Sequence, residues 1–523
     1  MARALRTLTA IVLAFVGIAA ANPFERPGDA QPRTEIDKLV FAQLETLEIQ
    51  PARLCADAVF LRRAYLDVIG ALPTAQQART FLQDKNPDKR ALLIDDLLAR
   101  PEFADYWAMK WCDVLRVKAE FPINLWPNAV QAYHHWIRDA LRRNMPYDRF
   151  ARELLTANGS NFRVPQVNFY RAVQSKTPRG LAQAVALTFM GQRADNWDQA
   201  RLAGMAAFFS QIDFRATGEW KEEIVVFDPD RPMTADPNGP PVKPVFPDGA
   251  AADIPPGADP REAFARWLIT PDNPWFTRNI ANRLWSWLLG RGIIHEPDDI
   301  RPDNPPANPE LLALLEKELI AADYDLKSLY RLILNSTTYQ LSCVPRSDKP
   351  EAAAHFALYP MRQLEAEVLI DALNQITGTT EKYSSEIPEP YTFIPESQRA
   401  TDLADGSITS SFLEMFGRPS RDTGLESERT GRPTASQRLH MLNSSHIQRK
   451  IERSPALQAL AKARNNPQQA INGIYLTILS RFPTEDELEA VNEYTRLQKN
   501  NNRTVAIDLI WSLINSPEFL CRH

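Results

Sequence analysis

The sequence is poor in the residues that carry most recognisable chemistry. Its 523 residues include only four cysteines, Cys55, Cys112, Cys343 and Cys521, and seven histidines. The cysteines lie far apart, so neither a zinc ribbon nor a redox Cys-x-x-Cys is encoded. Disulfides form in an oxidising compartment, but spacing does not select a pairing. Glycine is scarce, 19 against 41 prolines, which excludes Gly/Ser tethers and points to stiff connections between helices. P-loop, Gly-x-Gly-x-x-Gly and Gly-x-Ser-x-Gly motifs are missing. No single-sign excess of charge exists either. The 60 basic and 65 acidic side chains are mixed along the chain and give a net −5, which offers a phosphate backbone nothing to condense on and excludes nucleic acid as an expected partner.

What is present is a globular composition, 44% apolar, 24% charged and 9% aromatic, over a length that suits two or three domains. Residues 1–21 carry Arg3 and Arg6, an apolar run from Leu8 to Ala20, and Ala19-Ala20-Ala21 before Asn22-Pro23. That pattern reads as a cleaved signal peptide, because the run is shorter than the roughly 20 residues that cross a bilayer. Loss of the two arginines takes the net charge from −5 to −7. The expected address is periplasmic or extracellular, with no later membrane span.

Apolar positions recur at helical spacing from Glu35 to about Gln211, as in Phe103, Trp107, Trp111 and Leu115. Thr74 with Gln77, Thr434 with Gln437 and Thr484 with Glu487 are capping boxes that sign helix starts. Ten prolines between 229 and 260 break the pattern. Just before them, Glu223–Phe227 reads as a short strand. The expected fold is therefore mainly α: residues 22–34 as linker, a helical domain over 35–215, a proline-rich junction over 216–260 with at most a small β-hairpin, and a second helical domain over 261–523. A weak internal repeat accompanies it. Tyr65-Leu66-x6-Pro73-Thr74 returns as Tyr475-Leu476-x6-Pro483-Thr484, Pro101-Glu102-Phe103 as Pro517-Glu518-Phe519, and Asn335-Ser336-x-x-Tyr339 as Asn515-Ser516-x-x-Phe519.

The stretch Leu61–Thr74, with Lys89-Arg90, Leu93–Leu98 and Pro101-Glu102-Phe103, resembles the cytochrome-associated domain of unknown function fifteen-forty-nine of exported planctomycete proteins. Asn282-Arg283-Leu284-Trp285, Gly290-Arg291-Gly292, Asp298–Arg301, Asn304-Pro305-Pro306, Tyr324–Lys327 and Phe416–Pro419 resemble its partner, domain fifteen-fifty-three. The resemblance covers nearly the whole chain after residue 21 and brings no settled activity with it. Many relatives carry a Cys-x-x-Cys-His segment where this chain reads Phe189–Trp197, and a Cys-Glu-Cys-Glu-Arg run where it reads Leu425–Arg429. A c-type haem needs two thiols and an axial imidazole, so the departures imply a haem-free variant with no cofactor and no metal.

Five constellations remain. On the helix expected from Asn279 to Leu289, Asn279, Asn282, Arg283 and Ser286 share a face. Arg283 there either recognises an anion bidentately or ties the helix to Asp298-Asp299. Glu367 and Asp371 stand one turn apart and read as a solvated stripe, an Arg-bridged structural pair, or a catalytic acid/base pair of the glycosidase type. Arg418, Arg421, Glu426, Glu428, Arg429 and Arg432 crowd one irregular segment. They either cradle an acidic ligand or neutralise the interleaved acids, with Asp299 and Arg301 as further ligand-binding candidates. His134-His135 and His440/His446 lack helical zinc spacing. Trp107, Trp111, Trp126 and Trp136 suit either sugar stacking or helix packing. The leading functional expectation is a haem-free binding or assembly component outside the cytoplasm, for acidic glycans or other exported proteins. The alternative is a polysaccharide-acting hydrolase or a remnant of a redox system.

Overall fold

Helix starts follow the local chemistry of the chain. Thr74, Thr434 and Thr484 each accept from the backbone N–H three residues on while Gln77, Gln437 or Glu487 reaches back, and a fourth box, Thr34 with Asp37, opens the helix Glu35–Thr46. Pro101 and Pro517 stand in the first turns of helices Pro101–Val114 and Pro517–Leu520, where a missing N–H costs nothing. The computed structural model describes residues 22–454, 467–498 and 501–523. The signal-peptide reading falls on residues 1–21 and lies outside them. Among the described residues the chain is mainly α-helical, and no helix is long and apolar enough to cross a membrane.

The strand Glu223–Phe227 forms as expected and pairs antiparallel with Ile212–Ala216. The sheet goes one step beyond a hairpin, because Gly159-Ser160 adds a third strand on the other edge. A second ribbon joins Arg362-Gln363 to Cys521-Arg522. The proline-rich segment has only isolated bridges, yet it packs on the body: Phe246 stacks on Phe208 at 4.9 Å and on Trp267 at 5.0 Å.

Among the described residues the main hydrophobic core runs from Ile36 to Phe519, on both sides of that segment, with a small second cluster of Ala30, Ala52 and Leu341. At its centre Trp107 of Pro101–Val114 meets Trp287 of Phe276–Leu289 at 5.4 Å and Tyr330 of Leu326–Leu334 at 4.5 Å, and Trp111 meets Trp287 at 5.8 Å. Trp136 stacks on Phe150 at 4.9 Å. These three tryptophans are packing anchors; Trp126 is placed differently.

The repeat is a physical device used twice. Ser336 Oγ donates to the Ile333 carbonyl at 2.7 Å and accepts from Tyr339 N–H at 3.1 Å; Ser516 Oγ does the same with Leu513 at 2.6 Å and Phe519 at 3.2 Å. Each serine closes its helix and turns the aromatic inward. Adjacent arginines of the helix Asp57–Ile69 then cover the two rings, Arg62 over Phe519 at 5.4 Å and Arg63 over Tyr339 at 5.7 Å.

Candidate functional site

The candidate site is a buried charge network where the irregular segment Arg418–Arg432 meets three helices. Sequence spacing left two readings, a cradle for an acidic ligand or neutralisation of the acids interleaved among the arginines. The structure does not pair these arginines with the interleaved acids: the main partners of Arg418, Arg421 and Arg429 come from distant helices. Arg429 donates to Glu367 of Ala366–Thr377 at 2.7 and 3.1 Å and to Asp113 of Pro101–Val114 at 2.7 Å. Arg421 reaches the other Asp113 oxygen at 2.9 Å, and Arg418 approaches Glu367 at 3.4 Å. Glu428 instead accepts from Thr423 N–H and Oγ1 at 2.7 Å, and Arg432 is exposed. Burial alone would raise Glu367 and Asp113; Arg429 first, then Arg418 and Arg421 respectively, more than offset it and hold both carboxyls below their ordinary range. Desolvation, aided by the neighbouring Arg421, brings Arg418 down to about 10.

The helix Phe276–Leu289 begins three residues before the expected start and is buried nearly all round, so Asn279, Asn282 and Arg283 of its polar face form an internal seam and only Ser286 reaches a pocket wall. Asn279 donates to the Thr188 carbonyl, and Asn282 exchanges two hydrogen bonds with Ile294, at 2.9 and 2.8 Å. Arg283 pairs with Asp298 at 2.6 Å, both side chains 1% exposed, and stands 3.8 Å behind Glu426. Asp298 also accepts from the Glu426 N–H at 2.6 Å, which docks the irregular segment against this helix. Asp299 and Arg301 do not join: Arg301 pairs with Asp299 and Asp303 at the surface.

Glu367 and Asp371 share a helix, yet neither lies on a solvated stripe and they do not act on one cleft. Glu367 is committed to Arg429. Asp371 accepts from Ala400 N–H at 2.8 Å, Thr401 N–H at 3.0 Å and Thr401 Oγ1 at 2.7 Å, capping a loop. Burial raises its carboxyl above the usual range, and Arg399 opposes the rise. It lines a separate cleft with Tyr65, Arg100 and Arg399.

Residues that spacing missed complete the network. Lys110 donates to Glu365 at 2.7 Å, and Arg522 pairs with that same carboxylate and with Asp67 at 2.9 Å. Arg362 reaches Asp67 at 3.3 Å, while its Nε has no acceptor. The signal for them was a charge set inside an apolar helical stripe: Asp67, Lys110 and Asp113 interrupt otherwise buried runs. Seven cations (Lys110, Arg283, Arg362, Arg418, Arg421, Arg429 and Arg522) thus face six carboxylates (Asp67, Asp113, Asp298, Glu365, Glu367 and Glu426), an excess of one positive charge. A pocket of about 290 Å³ opens on this network between Ser286 and Trp287 of the buried helix with its cap Gly290, and Glu426, Ser427 and Arg429–Gly431 of the irregular segment, with Lys110, Arg362 and Arg522 in its wall.

A neighbouring cleft of about 530 Å³ is lined by Gln192–Asp195, within the Phe189–Trp197 stretch, on one side and by Asp422, Thr423 and Leu425 on the other. Its lining residues include no thiol and no imidazole, so the donor set does not fit a covalently held haem. The four cysteines are free thiols, and among the described residues no group of three or more His, Cys, Asp or Glu could hold a metal ion.

Residues 35–213 match the family described as Protein of unknown function (DUF1549), PSCyt2, and residues 260–495 match Protein of unknown function (DUF1553), PSD1. The chain belongs to the class of proteins in which these two domains are paired. No curated protein and no solved structure matches it.

Proposed function

We propose that the protein is an exported binding protein that holds an anionic group, the carboxylate or sulfate of an acidic glycan, in the pocket between the Phe276–Leu289 helix and Glu426–Gly431. The observation that carries this reading is the unbalanced wall of the pocket. Lys110, Arg362 and Arg522 have only two carboxylate partners, Glu365 and Asp67, their other acceptors being the neutral Trp287, Leu288 and Leu66 carbonyls and the Tyr359 and Tyr106 hydroxyls. A guanidinium edge fixed by buried partners is pre-organised for an oxyanion and loses little freedom when it binds one. The carboxylates of the pocket region are tied to arginine, lysine or tryptophan, as in Trp287 Nε1 donating to Glu426 at 3.0 Å. The arrangement therefore supports holding an anion more directly than the paired acid and base of a hydrolase.

Gly431 lines the pocket, and a side chain added there meets open space. Gly431→Trp should fold normally and obstruct the mouth. Calorimetric titration with oligogalacturonate and with a sulfated oligosaccharide should show saturable, salt-sensitive binding by the parent protein that this variant weakens by roughly tenfold or more, as loss of a charge-assisted contact implies. Equal binding by both proteins, or none by the parent, would overturn the reading.

A further inference from the structure

A second cleft, remote in chemistry from the charge network, carries the features of a neutral ligand site. Trp126, Trp220 and Tyr391 come from three separate stretches of chain and gather at the surface. Trp126 lies 5.5 Å from Tyr391 and 6.0 Å from Trp220, and Trp220 and Tyr391 are 6.4 Å apart with planes 18° from parallel. Two of these rings face solvent, Trp220 at 65% and Tyr391 at 50% exposure. Large aromatics normally bury most of their area, so three of them clustered at the surface need a reason. Lys221 lies over the Trp126 and Trp220 rings at 5.0 and 5.8 Å.

Tyr391 is also the edge of a cleft of about 370 Å³ that runs from Pro127 to Ile408. Polar groups without partners line it. His134 is 3% exposed, and neither ring nitrogen has a hydrogen-bond partner; Thr392 Oγ1 and Asp402 Oδ1 are likewise unpartnered. Buried polar atoms of this kind are rare, because each forfeits its hydration without compensation. Burial, with Arg421 and His135 adding to it, lowers His134 to about 3, so the ring is neutral and offers one donor and one acceptor. Burial and Asp105 raise the Asp402 carboxyl. The charges of the cleft wall are already matched: Arg138 pairs with Asp105, and Asp405 accepts from Ala119 and Ser407 N–H at 2.9 Å. The cleft wall itself therefore leaves no unopposed cation for an acid; Lys221, at the rim, lies over the Trp126 and Trp220 rings.

We propose that this cleft and its aromatic rim bind a neutral saccharide, whose apolar C–H face lies on Trp126, Trp220 and Tyr391 and whose hydroxyls meet His134, Thr392 and Asp402. A polyol with an apolar face is the ligand class that needs both aromatic planes and unpartnered hydrogen-bonding groups in one place. The site is independent of the anion pocket, and either assignment can fail without the other.

The test uses the full chain and a panel of neutral hexasaccharides: cellohexaose, xylohexaose, mannohexaose and laminarihexaose. Binding is followed by quenching or blue shift of tryptophan emission and by calorimetric titration. At least one hexasaccharide should bind. Trp220→Ala and Tyr391→Ala remove exposed rings and should leave thermal unfolding in place while weakening that binding by roughly tenfold each, the order of one ring contact. Neither variant should alter oligogalacturonate binding. Failure of all four sugars to bind the parent protein, or unchanged affinity in both ring variants, would refute the proposal. Weakened oligogalacturonate binding in Trp220→Ala would show the rim to be part of an acidic-glycan surface and would equally refute a neutral site.

Discussion

Replacing Arg429 by Met tests the reasoning about buried charge most directly. Arg429 is 10% exposed at its side chain, Glu367 is 1% exposed, and the pair is bidentate at 2.7 and 3.1 Å. Methionine keeps the bulk and removes the charge. Glu367 then retains only Arg418 at 3.4 Å, and Asp113 retains only Arg421. Stranding one partner of a buried pair costs about 3–5 kcal/mol, mostly the desolvation of the carboxylate left behind. An unfolding entropy of about 2.1 cal/mol/K per residue gives roughly 1 kcal/mol/K for a chain of this length, so the melting temperature should fall by about 3–5 °C. Arg429→Met combined with Glu367→Gln removes the stranded charge and should recover at least about 1 kcal/mol of the summed single losses, a coupling typical of residues in direct contact. Calorimetric unfolding of the four proteins at pH 7 decides the matter. A melting temperature unchanged within 1 °C in Arg429→Met, or strict additivity in the double variant, would refute the account of the network.

Three further outcomes are expected. Glu365, Glu367 and Asp113 are held below their ordinary values by Arg522 and Lys110, Arg429 and Arg418, and Arg429 and Arg421, against the opposing effect of burial, so the folded state releases these protons more readily than the unfolded chain. Their stabilisation is complete above the ordinary values of 4.5 and 3.8 and is lost as pH falls through the folded ones; Asp371 and Asp402, raised by burial, act in the opposite sense and are outnumbered. Thermal scans should accordingly show a steady decline in melting temperature below about pH 5. Gly70 ends its helix at φ 60°, and an added Cβ would strike the Tyr106 ring, so Gly70→Ala should cost more than the roughly 1 kcal/mol of the backbone effect alone, read by urea unfolding. The purified protein should show no Soret absorbance; a covalently retained Soret chromophore would contradict the donor set of the cleft at Gln192–Asp195.

Much of the fold was legible because its signals are local. Capping boxes at Thr74, Thr434 and Thr484 and the strand Glu223–Phe227 stand where spacing put them. The strand Gly159-Ser160 and the ribbon of Arg362-Gln363 with Cys521-Arg522 were not legible: two-residue strands carry no alternation, and their pairing joins distant parts of the chain. The site was half readable. Arg283, Arg429 and Glu367 stood out, but an arginine facing a carboxylate some sixty residues away looks in sequence like one facing water. Arg62, Arg63 and Asp67 sit in a helix whose charges would ordinarily be assigned to solvent, yet all three are buried. Trp126 separated from Trp107 and Trp111 for a related reason, since composition counts rings and only tertiary structure shows which faces are covered.

The arginines of the Asp57–Ile69 helix also set a schedule for folding. Arg62 is satisfied by the carbonyls of Ile478 and Phe519, and Arg63 by those of Tyr339 and His523. Until those distant segments have been synthesised, two guanidiniums near the start of the chain lack their native carbonyl acceptors and must keep their hydration, so the helix that carries them cannot be buried as it is in the folded protein. Maturation of the early domain therefore waits on the late one, and a ribosome-bound chain should remain open to proteases and to holding chaperones until the segments carrying Ile478, Phe519 and His523 emerge.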